Sequence, residues 1–218
     1  DKPHRQIVDK QGYVSHDMKE VYRNVLDLFQ SIIRIAGIVP REIKAIGISN
    51  QRETTVAWDE NGKPYAPAIV WQCSRATEIA TRIAKGKGAA EQVSETTGIP
   101  LSPFFPAAKM RWLLEHDCKN VPVEQLHMGT VDSYLVYRLT NGAVFATDAS
   151  NASRTQLMDI DTRTWSASMC ELFDIPMSCL PEIKDSNALY GETDFGGLSD
   201  VKIPIHCVMG DSHGALFG

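Results

Sequence analysis

Short apolar stretches alternate with segments of helical periodicity along this chain, and that alternation restricts the available folds more than any other feature. Ile43-Lys44-Ala45-Ile46-Gly47-Ile48 carries the period-two pattern of a strand with one buried face. Ala68-Ile69-Val70-Trp71 is wholly apolar, as in a strand covered on both faces, and Ile205 to Met209 reads as a last strand. Among these strands the pattern predicts helices. One runs from an Asp17 N-cap through Met18, Tyr22, Val25, Phe29, Ile32 and Ala36 to Gly37, which suits the left-handed closing position. Others cover Thr77–Ala84, Pro106–Glu115, Val131–Leu139 and Ser168–Phe173, while Thr54–Trp58 and the residues after Asn61-Gly62 read as a hairpin. The expected class is α/β, a mixed sheet flanked by helices on both faces, with its ligand crevice beyond the carboxyl ends of the strands. At 218 residues there is room for one large domain but not for two full catalytic lobes.

Composition narrows the function classes. A hydrophobic share of 43% and a charged share of 22% exclude disorder and coiled coil as the main architecture. The net charge of −5 argues against binding nucleic acid by phosphate neutralisation. Apolar runs fall short of a ~20-residue span, so no membrane partner is expected. What remains is a protein that handles a small molecule. Cys73, Cys118, Cys170, Cys179 and Cys207 are odd in number and widely spaced, which reads as reduced thiols in a cytoplasmic protein with no metal site. There is no Walker loop or GxGxxG. The chain starts at Asp1 without a secretory signal and reads as a piece of something longer.

Three polar clusters carry the chemistry. Ser49-Asn50-Gln51-Arg52-Glu53-Thr54-Thr55 directly follows an apolar strand. Its adjacent Arg52 and Glu53 offer a donor fork and a paired acceptor, a match for vicinal hydroxyls that each give and take a hydrogen bond. The same run also suits a solvated turn with a surface ion pair. Gly210-Asp211-Ser212-His213-Gly214 sets a carboxylate on a glycine-flanked turn, where Asp211 serves either as a proton acceptor for an attacking hydroxyl or as a helix N-cap. His213 has no partner assignable by spacing. The third cluster, Asp148 to Thr155, reads as a structural loop tying two strands. Trp71, Phe104 and Phe105 are candidates for an apolar wall, and Trp112 reads as core.

At these same clusters the sequence resembles the FGGY carbohydrate kinases, the glycerol kinases among them most closely. The resemblance is carried by Ser49–Thr55, Ile69–Cys73, Thr97–Pro103, Gly129–Leu135 and Asn151–Thr155 in family order. Phe104 to His116, with Lys109-Met110-Arg111-Trp112-Leu113 at its centre, fits one of the two family signatures. The resemblance implies an actin-like fold, each lobe built on a ribonuclease-H-like sheet. Residues 1–218 correspond to the N-terminal, substrate-binding lobe, and 210–218 begin the connection toward a C-terminal ATP-binding lobe. It implies ATP-dependent phosphorylation of glycerol to glycerol 3-phosphate, with Arg52 and Glu53 on the hydroxyls, Trp71 on the carbons, and Asp211 as general base. Gln51, Phe104 and Ser212 complete the substrate-side set. ATP and Mg2+ are expected to be held largely by parts outside this chain, among them a phosphate loop preceding Asp1, so the isolated chain is expected to be inactive. A homo-oligomer is compatible with the family. The chain departs from the usual glycerol-kinase pattern at Phe104, where Tyr is common, and at Ser212-His213, where Gln usually leads. These departures leave two other readings open: an FGGY kinase for another polyol or sugar, and a non-catalytic ligand-binding module derived from one.

Overall fold

The computed structural model describes residues 1–218. Strands β1 (Gln6–Val8) and β2 (Val14–His16) pair antiparallel ahead of helix α1 (Met18–Ala36). Both expected caps of α1 are present: the Asp17 side chain accepts from the Lys19 N–H, and Gly37 closes the helix at φ 65°. Only the first three turns bury their apolar stripe, through Met18, Tyr22 and Phe29; Ile32 is exposed. Then come β3 (Ile46–Asn50), β4 (Thr55–Trp58), β5 (Ala68–Ile69), α2 (Thr77–Ala84), α3 (Ala89–Thr97) and α4 (Pro106–Glu115). β6 (His127–Thr130) leads directly into α5 (Val131–Leu139), and β7 (Ala146–Asp148) into the short α6 (Ala149–Ala152). The chain continues through β8 (Met158–Asp159), β9 (Thr164–Trp165), α7 (Ala167–Leu172), β10 (Glu182–Lys184) and β11 (Glu192–Thr193). It ends in β12 (Ile203–Gly210) and α8 (Asp211–Phe217).

The strands are shared among several sheets. The largest has the order β1-β2-β5-β4-β6 and is antiparallel throughout, while β3 runs parallel to β12, which β11 flanks antiparallel. β7 and β10 form a parallel pair, and β8 and β9 a short hairpin. The five-stranded sheet lies between two cores, and its side chains divide with period two. Ala57, Ile69 and Met128 enter the core built with Met110 and Leu113 of α4, whereas Val56, Trp58 and Ala68 face the core that holds Tyr134 and Val136 of α5. The expected helix cover on both faces is therefore present.

Two readings are corrected in detail. The turn after Trp58 closes, with Gly62 at φ 71°, but the returning arm makes only a Trp58–Pro64 bridge and no strand. Pro64 and Pro67 have no N–H to give a ladder. Helix α3 is an addition to the expected set, because just Ala89, Val93 and Thr97 mark its buried face. Trp112 sits at the rim of its core, stacked on His116 at 4.2 Å.

Candidate active site

The parallel register of β3 and β12 sets Asn50 opposite Gly210, so the residues that follow each strand emerge side by side. Arg52 reaches across this junction. Its Nε lies 3.3 Å from Asp211 Oδ1, its Nη2 donates to Ser212 Oγ at 3.0 Å, and its Nη1 donates to His213 Nδ1 at 3.2 Å. Since a guanidinium only donates, His213 accepts there and holds that nitrogen unprotonated. The junction needs glycine at position 210: a Cβ would stand 2.2 Å from Arg52 Cδ. Gly210 occupies the N-cap of α8 and Asp211 is its first residue, so Asp211 is not the N-cap itself, although it accepts one first-turn N–H. The Asp211 side chain is 56% exposed, its Oδ1 taking the neighbouring Ser212 N–H at 2.8 Å.

The solvated-turn reading of the first cluster is also overturned. Glu53 is buried, and its Oε1 accepts from Arg154 Nε at 2.8 Å, while the Arg154 guanidinium lies 4.8 Å over the Phe105 ring. Arg52 and Glu53 thus have separate partners. Thr54, fully buried, donates to Gln51 Oε1 at 2.9 Å and accepts the Trp71 N–H at 3.3 Å, tying the polar run to the tryptophan. Trp71 is 40% exposed, its ring 5.7 Å from that of Phe104, which in turn meets Phe105 edge-on at 5.2 Å. These rings form an apolar wall beside the polar run. Lys109, wholly buried in α4, donates to the carbonyls of both Glu53 and Phe104.

Beneath the site lies a buried polar network. Asn50 Nδ2 donates to Asn151 Oδ1 at 2.9 Å, and Asn151 Nδ2 to Asp148 Oδ1 at 2.7 Å. The carboxylate of Asp132 accepts from Thr130 at 2.5 Å and Thr147 at 2.6 Å, with Asn50 Nδ2 at 3.5 Å. Burial pushes Asp132 up to about 6, partly offset by the threonine hydrogen bonds. Asp148 caps α6, and Ser150 Oγ accepts the Gly210 N–H at 2.8 Å. The segment from Asp148 to Thr155, expected to be only a connecting loop, is therefore a strap across the site that delivers Arg154.

Sequence reading missed Arg154, Lys109 and the Asn50–Asn151–Asp132 network as parts of the site. Lys109 left the clearest signal: it stands four residues from both Phe105 and Leu113, a charge on an apolar helix face. No group of three or more His, Cys, Asp or Glu is placed to hold a metal ion, and all five cysteines are free.

The family model described as "FGGY family of carbohydrate kinases, N-terminal domain" matches residues 1–218. Glycerol kinase 1 of Thermotoga maritima is 46% identical over 219 residues, covering 99% of this chain and 44% of that protein. A Haemophilus influenzae glycerol kinase is 40% identical, with 98% and 43% covered. Thus the chain spans less than half the length of the curated relatives it matches. The crystal structure of Plasmodium falciparum glycerol kinase with ADP superposes with a TM-score of 0.90 at 34% identity, covering 98% of this chain and 44% of that one. A ligand-bound xylulose kinase from Lactobacillus acidophilus, at 22% identity and a TM-score of 0.84, shares the fold. With its mixed α/β architecture, this chain belongs to the FGGY family of carbohydrate kinases, as an N-terminal domain of that family.

Proposed function

We propose that this chain is the substrate-binding lobe of an ATP-dependent kinase that phosphorylates glycerol to glycerol 3-phosphate. The observation that carries the reading is Arg52, which spans from the end of β3 to the start of α8 and brings the hydroxyl-binding run within 3.3 Å of the one exposed carboxylate of the junction, Asp211. Glycerol kinases at 40–46% identity support the same substrate. In this mechanism the wall of Trp71 and Phe104 packs on the polyol carbons, and Arg52, Glu53 and Gln51 take the hydroxyls. A terminal hydroxyl is thereby turned toward Asp211. Its carboxylate removes the proton as the oxygen attacks the γ-phosphorus; the new O–P bond forms, the bond to the β-phosphate oxygen breaks, and ADP leaves. ATP supplies the phosphoryl group. Mg2+ neutralises phosphate charge in such transfers, and the donor set here, a lone Asp211 beside Arg52, fits an ion carried on the phosphates rather than a protein cage. ATP as donor and five free thiols fit a cytoplasmic enzyme. No helix is long and apolar enough to cross a membrane.

A second reading, a kinase for a larger polyol or a sugar, is favoured by one observation. Ser212 and His213 both engage Arg52, and Phe104 offers no hydroxyl, so the site presents fewer free hydrogen-bonding groups to glycerol itself. The deciding measurement is ATP-dependent turnover by the full-length kinase across glycerol, longer polyols and keto-sugars. Highest kcat/KM for glycerol supports the first reading, and a better substrate elsewhere supports the second. ADP release with none of them overturns both.

A further inference from the structure

Lys109 has no part in the mechanism above, yet it occupies a costly position. Its side chain is fully buried in α4, where an ammonium loses its hydration. A methionine would fill the space without that penalty. What the lysine adds is a pair of hydrogen bonds from one nitrogen: Nζ donates to the Glu53 carbonyl at 3.0 Å and to the Phe104 carbonyl. Both acceptors belong to residues with a proposed substrate role, one on the polar side and one on the apolar side. A backbone carbonyl fixes where its own side chain begins, so two carbonyls bound to one nitrogen cannot shift independently.

We propose that Lys109 is a positioning residue for the polyol: its ammonium joins the backbone of Glu53 to that of Phe104 and sets the width between the polar run and the aromatic wall. This inference rests on the reading of the site as a polyol site. The titratable groups facing Lys109 are the Glu53 carboxylate and the Cys73 thiol. Each has a further cation, Arg154 Nε at 2.8 Å from Glu53 and Arg75 Nε at 3.1 Å from Cys73 Sγ. Burial pushes Lys109 down to about 7, against the pull of Glu53 and Cys73. Near neutral pH the enzyme therefore passes from an ammonium clamp to an amine clamp, which binds the carbonyls more weakly.

The test uses the full-length kinase with Lys109→Met and Lys109→Gln, each checked for folding by circular dichroism and thermal melting. Steady-state kinetics with glycerol and ATP are followed between about pH 6 and about pH 9. Expected for the wild type is a KM for glycerol that rises through neutrality. Lys109→Met raises that KM about tenfold or more at the acid end and flattens its pH dependence, with kcat and the KM for ATP within about threefold. Lys109→Gln restores a donor without the charge and falls between, also flat with pH. A folded Lys109→Met enzyme with unchanged KM, or one losing kcat alone, overturns the proposal. So does failure of both variants to fold, which makes Lys109 a folding residue. If the wild type phosphorylates no polyol, the proposed function fails separately; an unchanged Glu53–Phe104 spacing in the crystal structure of Lys109→Met then overturns the positioning role.

Discussion

The two halves of the site are held in opposite ways. Around Glu53 the anchors are buried or nearly so: a half-buried Arg154 on its carboxylate, and buried Lys109 on its carbonyl, Thr54 beside it, and Asn50 behind it in the network with Asn151 and Asp132. Around Asp211 almost nothing is. Helix α8 contains no buried residue, and the hydrogen bonds and ion pairs of the Asp211, Ser212 and His213 side chains outside α8 all run to Arg52. The lesson is a division of labour. On the proposed reading, the half that takes the hydroxyls is preorganised by the domain's own core, while the half that takes the proton is left accessible and is registered to the first through a single guanidinium.

The sharpest test of that division is Asp211→Asn. It removes the proposed proton acceptor from the lightly held half, so kcat in the full-length kinase is expected to fall about 10²- to 10⁴-fold while KM for glycerol stays within about threefold. A comparable change in both parameters would mean that the two halves are not separable. Arg154→Met attacks the other half by leaving the Glu53 carboxylate buried without its partner. The expected cost is about 1–3 kcal/mol in urea unfolding together with a higher KM, because the pair is only partly shielded from solvent. An unfolding midpoint equal to the wild type's would show that the buried anchoring contributes little.

A pH experiment probes the network directly. Folded Asp132 binds its proton more tightly than the unfolded chain does, since its carboxyl sits near 6 instead of 3.8. Burying its charge therefore costs stability above about pH 6, roughly 1.4 kcal/mol for every tenfold gain in proton affinity on folding, and the cost fades as pH falls toward 3.8. The difference in unfolding free energy between wild type and Asp132→Asn is expected to move in favour of the wild type on going from about pH 7 to about pH 5. A difference that stays flat would contradict the raised value. The smallest effect belongs to Ser212→Ala. This exposed hydroxyl is one of three contacts to Arg52, so KM is expected to change by less than about threefold with no shift in melting temperature.

Much of the fold was legible from pattern. The α1 caps, the helices α2, α4 and α5, and the polar runs following β3 and β12 all follow from capping chemistry and periodicity. The partition of strands into separate sheets was not, because pairing partners lie far apart in sequence and short strands such as β7 and β10 carry too few residues to show a period. Of the site, Arg52 and Glu53 stood out because dense polarity after an apolar strand is unusual, while Trp71 and Asp211 were singled out by the family resemblance. Arg154 and Lys109 did not: their partners are 101 and 56 residues away, and a single cation in a loop or helix reads as surface until its partner is seen.

The shift in pairing between Ile205 and Cys207 sets His206 apart as an unmatched residue in β12, for Ile205 faces Ile46 while Cys207 already faces Gly47. The separation of Arg52 from Asp211 is in effect a residue count, kept by two parallel strands that run from that point to Asn50 and Gly210. Deleting a matched residue between Cys207 and Gly210 would shorten one side of that count, roughly 3.3 Å along the strand, and turn each following side chain to the opposite face, whereas loss of the unmatched His206 would leave Gly210 facing Asn50. Substitutions in β12 can leave the spacing intact, but a change of length within its matched residues cannot. Length variation in this domain is therefore expected to accumulate in connections such as residues 194–202 and to be absent between Cys207 and Gly210.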